Sequence, residues 1–254
     1  MAEKKLNVIL DIDDVVLNWL DGFKNWLADD QGIIMAIPPT GLRYSAIEQC
    51  FQDVSRSEVF RLISEFSRSP SFAHLQPYPG TRSFITAISD AGLNINALSA
   101  CGDGITADLR RAGLVEYLGW REDWPFRALP LGSSKFDALK NGFASGTGIM
   151  IDDHHGHVMS ARRAGLDAIW HRSNAHIAFC PVEDKSFNET PTTSWDECGA
   201  RLTAIVRTIS PETATALSES LTRSNTPAPR TLTAAPAPVR TFEAAAMRSP
   251  SGPL

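Results

Sequence analysis

Acidic residues follow directly after two short apolar runs of this sequence. The runs and the acids that follow them are residues 6–10 with Asp11 and Asp13, and residues 148–151 with Asp152 and Asp153. Apolar runs with β-branched centres are typical of buried strands. A carboxylate is costly to bury unless it is paired, hydrogen-bonded or bound to a metal. Acids at the ends of buried strands are therefore candidates for a functional site.

The two acidic pairs together suggest a metal site. In an open α/β sheet, ligands bind at the carboxyl ends of the strands. Two strands that each deliver carboxylates to that edge therefore predict one oxygen-rich cage. Such a cage fits Mg²⁺, which binds carboxylates, water and phosphate oxygens. The alternative for either pair alone is an acidic turn.

The composition restricts the partners that can be expected. A chain of 254 residues can form one sizeable domain, or a domain with an insertion. The formal net charge of −5 provides no basic field for duplex nucleic acid, although it does not argue against nucleotides. No apolar run approaches the roughly 20 residues of a membrane span. The cysteines are far apart and form no Cys-x-x-Cys motif, so we predict a cytoplasmic protein without a disulfide framework.

Alternating strand and helix patterns predict the fold class. Strands are predicted at residues 6–10, 93–98, 126–131, 148–151 and 166–170. Helices are predicted at residues 81–90, 106–112, 135–143, 158–164 and 195–209. Gly113 is expected to end the second of these helices. The alternation favours an α/β fold, in which right-handed crossovers build a mostly parallel sheet.

Residues 17–76 lack this alternation, and we interpret them as an inserted helical cap. The helices predicted at its entrance and within it are residues 15–27, 45–51 and 57–66. Ser57 is the expected N-cap of the last of them. The helical spacing of Trp19, Phe23 and Trp26 favours packing in a core, and a platform that stacks on a nucleobase is the alternative.

Residues 210–254 differ in composition from the rest of the chain. Prolines recur there among Ala, Ser and Thr, and Phe242 is the only aromatic residue. Such a segment buries too little apolar surface to offset the entropy lost on ordering. We therefore predict one domain at residues 1–209 and a disordered tail at 210–254. The arginines of the tail could contact an acidic partner, and a solvated tail with no specific partner is the alternative.

Four groups of residues that could take part in catalysis occur in a fixed order along the chain, each at a predicted strand end or helix start. They are Asp11-x-Asp13, Ser99, Lys135 and Asp152-Asp153. In this order, residues 6–172 resemble the haloacid-dehalogenase superfamily, a large group of phosphohydrolases with an aspartate nucleophile. The resemblance implies a Rossmann-like parallel sheet with helices on both faces and a small helical cap.

The resemblance also implies a role for each residue. Asp11 would attack phosphorus and become an aspartyl-phosphate, while Asp13 would protonate the leaving oxygen and then activate water. Ser99 would donate a hydrogen bond to the phosphoryl oxygens, and Lys135 would hold the nucleophile and the phosphate by its charge. The alternatives are a turn or cap hydroxyl for Ser99 and a surface lysine for Lys135.

Metal binding is implied for the same acidic residues. The Mg²⁺ ligands implied by the resemblance are Asp11, Asp13, Asp153 and Asp152. Asp153 better matches the direct ligand, and Asp152 would support the cage. Three histidines follow, which are His154, His155 and His157. They could form a separate zinc site, but we favour a histidine in or beside the phosphate pocket.

A finer resemblance concerns the substrate. The motif that begins at Asp11 is followed closely by an aromatic-rich helix, and the motif Phe72-x-x-Leu75-x-Pro77-x-Pro79-Gly80 leads out of the cap. With Ser194-Trp195 near the end, the chain resembles the 5′(3′)-deoxyribonucleotidases most within the superfamily. This implies a Mg²⁺-dependent phosphatase that acts on a nucleoside monophosphate. The alternatives are a related phosphatase acting on a sugar phosphate or a polynucleotide end, and a non-catalytic phosphate-binding scaffold whose tail recruits a partner.

Overall fold

A computed structural model describes residues 6–37, 44–51, 54–179 and 189–224. Its strands are β1 (Asn7–Leu10), β2 (Asn94–Ser99), β3 (Phe126–Ala128), β4 (Gly148–Asp152) and β5 (Asp167–Trp170). Its α-helices are α1 (Trp19–Gln31), α2 (Arg56–Phe66), α3 (Pro70–Ala73), α4 (Thr81–Asp90), α5 (Ile105–Leu118), α6 (Phe136–Gly142), α7 (His155–Arg163), α8 (Asn174–Phe179), α9 (Trp195–Ile209) and α10 (Pro211–Ser224). A 3₁₀ helix spans Tyr44–Cys50. Within these residues, no helix is long and apolar enough to cross a membrane.

The strands form one parallel sheet in the order β3-β2-β1-β4-β5. The central strand β1 lies between β2 and β4, with Val8 opposite both Ile95 and Ile149. Parallel neighbours require crossover connections, which the helices between the strands provide. The predicted α/β fold with a parallel sheet is confirmed.

Side chains that alternate along β1 enter two separate apolar clusters. Val8 and Leu10 belong to the larger cluster, which also contains apolar residues of α1, α4 and α9. Ile9 belongs to the smaller cluster, which includes Leu139 of α6 and Val158 of α7. Because successive residues of a strand point to opposite faces, the sheet is buried on both sides by helices.

The helical insertion leaves and rejoins the sheet at one point. Leu17 and Pro77 form an isolated antiparallel bridge. The backbone N–H of Asn18 donates to the Gln76 carbonyl at 2.9 Å, and that of Tyr78 donates to the Val16 carbonyl at 3.1 Å. The two ends of the insertion are therefore held together, and α1, the 3₁₀ helix, α2 and α3 lie between them.

The first helix begins later than residue 15, where we predicted it. Residues 13–17 form turns and bridges, and Asp14 has a φ of 58°, in the left-handed region that few non-glycine residues adopt. The Asp14 carboxylate accepts hydrogen bonds from the Leu20 backbone N–H at 3.0 Å and from the Tyr78 hydroxyl at 3.1 Å. These bonds stabilise the turn, so α1 starts only at Trp19.

Two other local predictions were wrong. Ser55 rather than Ser57 caps α2, since its hydroxyl accepts from the Glu58 backbone N–H at 3.2 Å. Gly113 lies inside α5 and does not end it. A Cβ atom at Gly113 would lie 2.5 Å from the carbonyl oxygen of Ala73, so a glycine allows α5 to approach α3 closely.

The start of the disordered tail at residue 210 was also wrong. Residues 211–224 form α10, which packs on α4 and α9. Ala214 and Leu217 are fully buried there. Pro211 occupies the first helical position, where a proline is well tolerated. A single narrow apolar stripe is enough to dock this helix, and the average composition of the segment does not reveal such a stripe. The rest of the predicted tail, 225–254, lies outside the described residues.

Candidate active site

The six residues singled out from the sequence meet at the carboxyl edge of the sheet. A cavity of about 450 Å³ lies there. The predicted residues that line it are Asp11, Asp13, Ser99, Lys135 and Asp153. Asp152 lies directly behind them and is fully buried. Because β1 is the neighbour of both β2 and β4, the carboxyl ends of these strands bring the four acids and Ser99 together, and Lys135 joins them from the start of α6.

Lys135 forms the electrostatic centre of this group. Its ammonium nitrogen lies 2.7 Å from Asp11 Oδ1 and 2.7 Å from Asp152 Oδ2. The side chain is fully buried immediately before α6. Although burial alone would lower the pKa of Lys135, the two carboxylates raise it. The lysine is therefore a fixed positive charge between the acids.

The two acids bonded to Lys135 differ in their ionisation. Burial raises the pKa of Asp11 to about 7; Lys135 opposes the rise and Asp152 adds to it. Burial would also raise the pKa of Asp152, but Lys135 and His157 hold that pKa below its usual value. Asp152 also accepts a hydrogen bond from the His154 backbone N–H at 2.8 Å. Asp152 is thus a permanent anion, whereas Asp11 depends on further positive charge for full ionisation at neutral pH.

Asp13 is held by two donors, one of which the sequence did not reveal. The Ser99 hydroxyl donates to Asp13 Oδ2 at 3.0 Å, and the Arg110 guanidinium pairs with Asp13 Oδ1. Burial raises the pKa of Asp13, while Arg110 and Ser99 oppose this rise. Arg110 lies in a predicted helix, where an arginine is usually exposed, so no sequence pattern indicated this contact.

The acids around Asp153 provide a site that fits a divalent cation. The pKa of Asp153 lies well above its usual value because the residue is buried near Asp152, Asp11 and Asp14. A cation there would offset this repulsion, and carboxylate oxygens are the ligands that Mg²⁺ prefers. Asp11 and Asp153 are the residues best able to hold it.

A second combination of ligand atoms exists beside this one. Asp11, Asp152 and His157 offer atoms within 4.8 Å of one another. We favour Asp153 over Asp152 as a ligand, because both oxygens of Asp152 already accept hydrogen bonds, from Lys135 and from the His154 backbone.

The histidines that follow β4 divide between the cavity and the protein body. His154 and His157 line the cavity, and their rings lie 4.8 Å apart. His157 Nδ1 lies 3.4 Å from Asp152 Oδ1. His155 instead packs edge-on against Trp170, with ring centroids 5.0 Å apart. Two of the three histidines therefore lie beside the acidic cluster. The three do not surround a common point, as a separate zinc site would require.

The cap supplies an apolar wall of the cavity. Trp19, Phe60 and Phe72 line the cavity, and Phe60 is 49% exposed. Phe23 and Trp26 are buried and pack against each other and against Phe66 in the core. Trp19 is buried in the same cluster, and its ring stacks on that of Phe23 with centroids 5.0 Å apart. Core packing therefore accounts for all three aromatic residues of α1, as predicted, and Trp19 also borders the cavity. The side chain of Tyr44, another cap aromatic, lies outside the described residues.

Comparisons with known proteins agree with this architecture. No protein-family model matches the sequence, and no curated protein matches it either. A structure described as a predicted phosphatase from Clostridium acetobutylicum is similar over 79% of this chain and 99% of that one, with a TM-score of 0.53 and 14% identity. A haloacid dehalogenase-like hydrolase from Streptococcus pneumoniae is similar over 78% and 99%, with a TM-score of 0.52 and 12% identity.

A third structure is a HAD-family hydrolase from Deinococcus radiodurans R1 with bound phosphate and sodium. It is similar over 80% of this chain and 97% of its own, with a TM-score of 0.52 and 17% identity. Sequence identities this low establish a shared fold and no more. The chain therefore has the α/β fold of the haloacid-dehalogenase-like hydrolases, with a parallel sheet and an inserted helical cap.

Proposed function

We propose that the protein is a Mg²⁺-dependent phosphomonoester hydrolase that forms an aspartyl-phosphate at Asp11, and that its substrate is a nucleoside monophosphate. One observation carries the proposal. Lys135 forms ion pairs with both Asp11 and Asp152, and it lines a cavity that Asp13, Ser99 and Asp153 also line. A non-catalytic phosphate-binding scaffold would need Ser99 and Lys135 to hold the phosphate, but it would not need the carboxylates of Asp11 and Asp13 beside them.

The chain's own residues divide the reaction into two displacements. An oxygen of Asp11 attacks phosphorus, and Asp13 gives a proton to the oxygen that leaves. Asp13 then takes a proton from the water that attacks the aspartyl-phosphate. Lys135 holds the phosphoryl oxygens in both steps. Ser99 joins it by turning its hydroxyl, which donates to Asp13 Oδ2 in this structure, towards the phosphate. The raised pKa of Asp13 favours the protonated form that the first step needs.

Asp11 must be ionised to attack, and its pKa of about 7 leaves it partly protonated at neutral pH. Lys135 lowers that pKa, and a cation held by Asp11 and Asp153 would lower it further. When bound, Mg²⁺ supplies charge neutralisation and orientation for the phosphoryl group.

The cap supports a substrate with an aromatic leaving group. Trp19, Phe60 and Phe72 line the cavity, and Phe60, at 49% exposure, is the most accessible of the three. Bases stack on aromatic side chains with about 1–3 kcal/mol each. Arg56 also lines the cavity; it lies 3.9 Å from Glu48 and is mostly exposed. A sugar phosphate would leave most of this apolar wall uncovered.

The test has two parts. The purified protein should hydrolyse phosphomonoesters only with Mg²⁺ present, and Asp11→Asn should lose several orders of magnitude in kcat, as when other covalent nucleophiles are removed. Near wild-type turnover by Asp11→Asn would refute the nucleophile. In a panel of substrates, deoxynucleoside monophosphates should show the highest kcat/KM. If sugar phosphates or simple aryl phosphates have a kcat/KM about tenfold higher than the deoxynucleoside monophosphates, the base contact worth about 1–3 kcal/mol does not exist.

A further inference from the structure

We propose that Arg110 is the positioning residue of the proton donor: it fixes the orientation of the Asp13 carboxyl and couples that orientation to the cap through Phe72. The inference rests on the proposed function, because it gives Arg110 a role only if Asp13 transfers the proton. Neither the motifs of the sequence nor the shared fold assigns a role to this arginine.

Arg110 is fully buried and is fixed on several sides. One terminal nitrogen pairs with Asp13 Oδ1, and the other donates to the Phe72 carbonyl oxygen at 3.0 Å. The centre of the guanidinium lies 3.7 Å from the centroid of the Phe72 ring. Burying an arginine is costly unless it is paired, so these contacts are also what keeps the side chain inside the protein.

The contacts divide the two oxygens of Asp13. Oδ1 forms the ion pair with Arg110, and Oδ2 accepts a hydrogen bond from Ser99. Ser99 lines the cavity, so Oδ2 is the oxygen on the side of the phosphate site. A guanidinium is a rigid planar donor, and its pairing with Oδ1 opposes rotation of the carboxyl. The proton that Asp13 transfers is therefore carried on Oδ2.

The positive charge of Arg110 stabilises the ionised form of Asp13 that exists between the transfer of the phosphoryl group to Asp11 and its hydrolysis. As the bond from Asp11 to phosphorus forms, the bond from phosphorus to the leaving oxygen breaks, and that oxygen takes the proton from Asp13 Oδ2. Asp13 is then an anion paired with Arg110. In the second step Asp13 accepts a proton from water, whose oxygen bonds to phosphorus while the bond to Asp11 breaks and phosphate is released. The proton on Asp13 is thereby restored.

The cap is part of the same arrangement. Phe72 belongs to α3, the last helix of the insertion, and its ring lines the cavity. Arg110 and Gly113 lie one turn apart on α5, and both contact α3. A displacement of α3 would therefore move the partner that holds Arg110 against Asp13.

The experiment compares two leaving groups in Arg110→Met. Nitrophenyl phosphate releases a stable anion that needs little protonation, whereas an alkyl phosphate releases an oxygen that needs the proton. We expect kcat/KM for the best alkyl phosphate of the panel to fall at least about tenfold more than that for nitrophenyl phosphate, since general acid catalysis contributes about 10²–10⁴-fold. The KM for nitrophenyl phosphate should be retained.

The ratio of the two activities in one preparation does not depend on the fraction of folded protein. Arg111→Met, an exposed arginine on the same helix, is the matched control and should keep the wild-type ratio. If Arg110→Met does not fold, Arg110→Lys, which keeps the charge but not the planar fork, should show a smaller fall in the same direction.

Equal losses on both substrates, or an unchanged ratio, in the variant that folds would overturn the inference and leave the proposed function intact. Failure of the wild type to hydrolyse any alkyl phosphate would instead refute the proposed function, and this inference with it.

Discussion

Lys135 determines whether two buried carboxylates can exist side by side. Its ammonium group contacts both Asp11 and Asp152 at 2.7 Å, and all three side chains are almost completely buried. Lys135→Met would leave two neighbouring acids without this counter-charge. Removal of one partner of a buried ion pair typically costs about 3–5 kcal/mol, and we expect a loss of this size in the free energy of unfolding.

Urea denaturation measures this loss. Lys140→Met is the matched control, since Lys140 is an exposed lysine one turn further along α6 and its removal should change stability by less than about 0.5 kcal/mol. If the two variants lose equal stability, Lys135 does not hold the acids together.

His171 makes stability depend on pH. Burial lowers the pKa of His171 to about 4 from 6.5, with Glu197 opposing the shift and His176 adding to it. As the pH falls below 6.5, the unfolded chain takes up a proton before the folded chain does. The stability is therefore complete above about pH 6.5 and is lost as the pH falls towards 4, by up to about 3 kcal/mol for this group.

His171→Gln should make the free energy of unfolding less dependent on pH when urea titrations at about pH 7 and about pH 5 are compared. Some dependence should remain, because burial also lowers the pKa of His176. His74→Gln, at an exposed histidine, is the control and should behave like the wild type. An unchanged pH dependence in His171→Gln would contradict the assignment.

At the scale of elements, the contact between α3 and α5 connects the cap to the sheet domain. Gly113→Ala would place a Cβ atom 2.5 Å from the Ala73 carbonyl oxygen, and a backbone atom cannot move as cheaply as a side chain. Overpacking typically costs about 1–3 kcal/mol, more than the roughly 1 kcal/mol that alanine gains over glycine in a helix. We therefore expect a net loss of stability, measured by thermal denaturation.

Gly142→Ala is the matched control for this variant. Gly142 ends α6, and a Cβ atom there would have no neighbour within 4 Å. Its melting temperature should be unchanged or slightly higher. A Gly113→Ala variant as stable as the wild type would show that α3 can move away from α5 at little cost.

Local sequence patterns predicted most elements well. The helices Thr81–Asp90 and Trp195–Ile209 have the predicted bounds, because apolar periodicity and the residues at helix ends act within one helix. The carboxylates and Ser99 were found for a related reason: strand ends are visible in the sequence, and a parallel sheet gathers them at one edge.

Contacts between distant segments could not be predicted in the same way. Arg110 and Gly113 are explained only by their approach to Phe72 and Ala73, about forty residues earlier in the sequence. No pattern within α5 distinguishes a buried arginine from an exposed one. The sequence therefore indicated the residues of the proposed chemistry, but not the residue that holds Asp13 in place.

At the scale of the whole molecule, α10 completes the packing on one side of the sheet. The spacing of Ala214, Leu217 and Leu221 is that of one helical face, a signal in the sequence that the low average hydrophobicity of the segment concealed. Leu221 approaches Gly199 so closely that a Cβ atom there would lie 2.8 Å from its side chain. This helix is thus part of the folded domain.

Two truncated chains test the contribution of α10. A chain that ends at Ser224 keeps the helix, and a chain that ends at Ile209 lacks it, so their difference isolates its effect. Burial of one Leu side chain contributes about 1.5–3 kcal/mol, and removal of α10 also exposes its apolar contacts on α4 and α9. We expect the chain ending at Ile209 to be less stable by about 3 kcal/mol in urea denaturation.

Turnover should respond differently from stability. The cavity residues lie at the end of β2, in the cap, in α7 and in the segments that follow the strands. None of the described residues that line the cavity belongs to α10. At a temperature where both chains are folded, they should therefore hydrolyse phosphomonoesters with equal kcat/KM. Equal stability of the two chains would show that α10 is not part of the core. A loss of kcat/KM in the folded shorter chain would show that the packing of α10 on α4 and α9 is transmitted to the site.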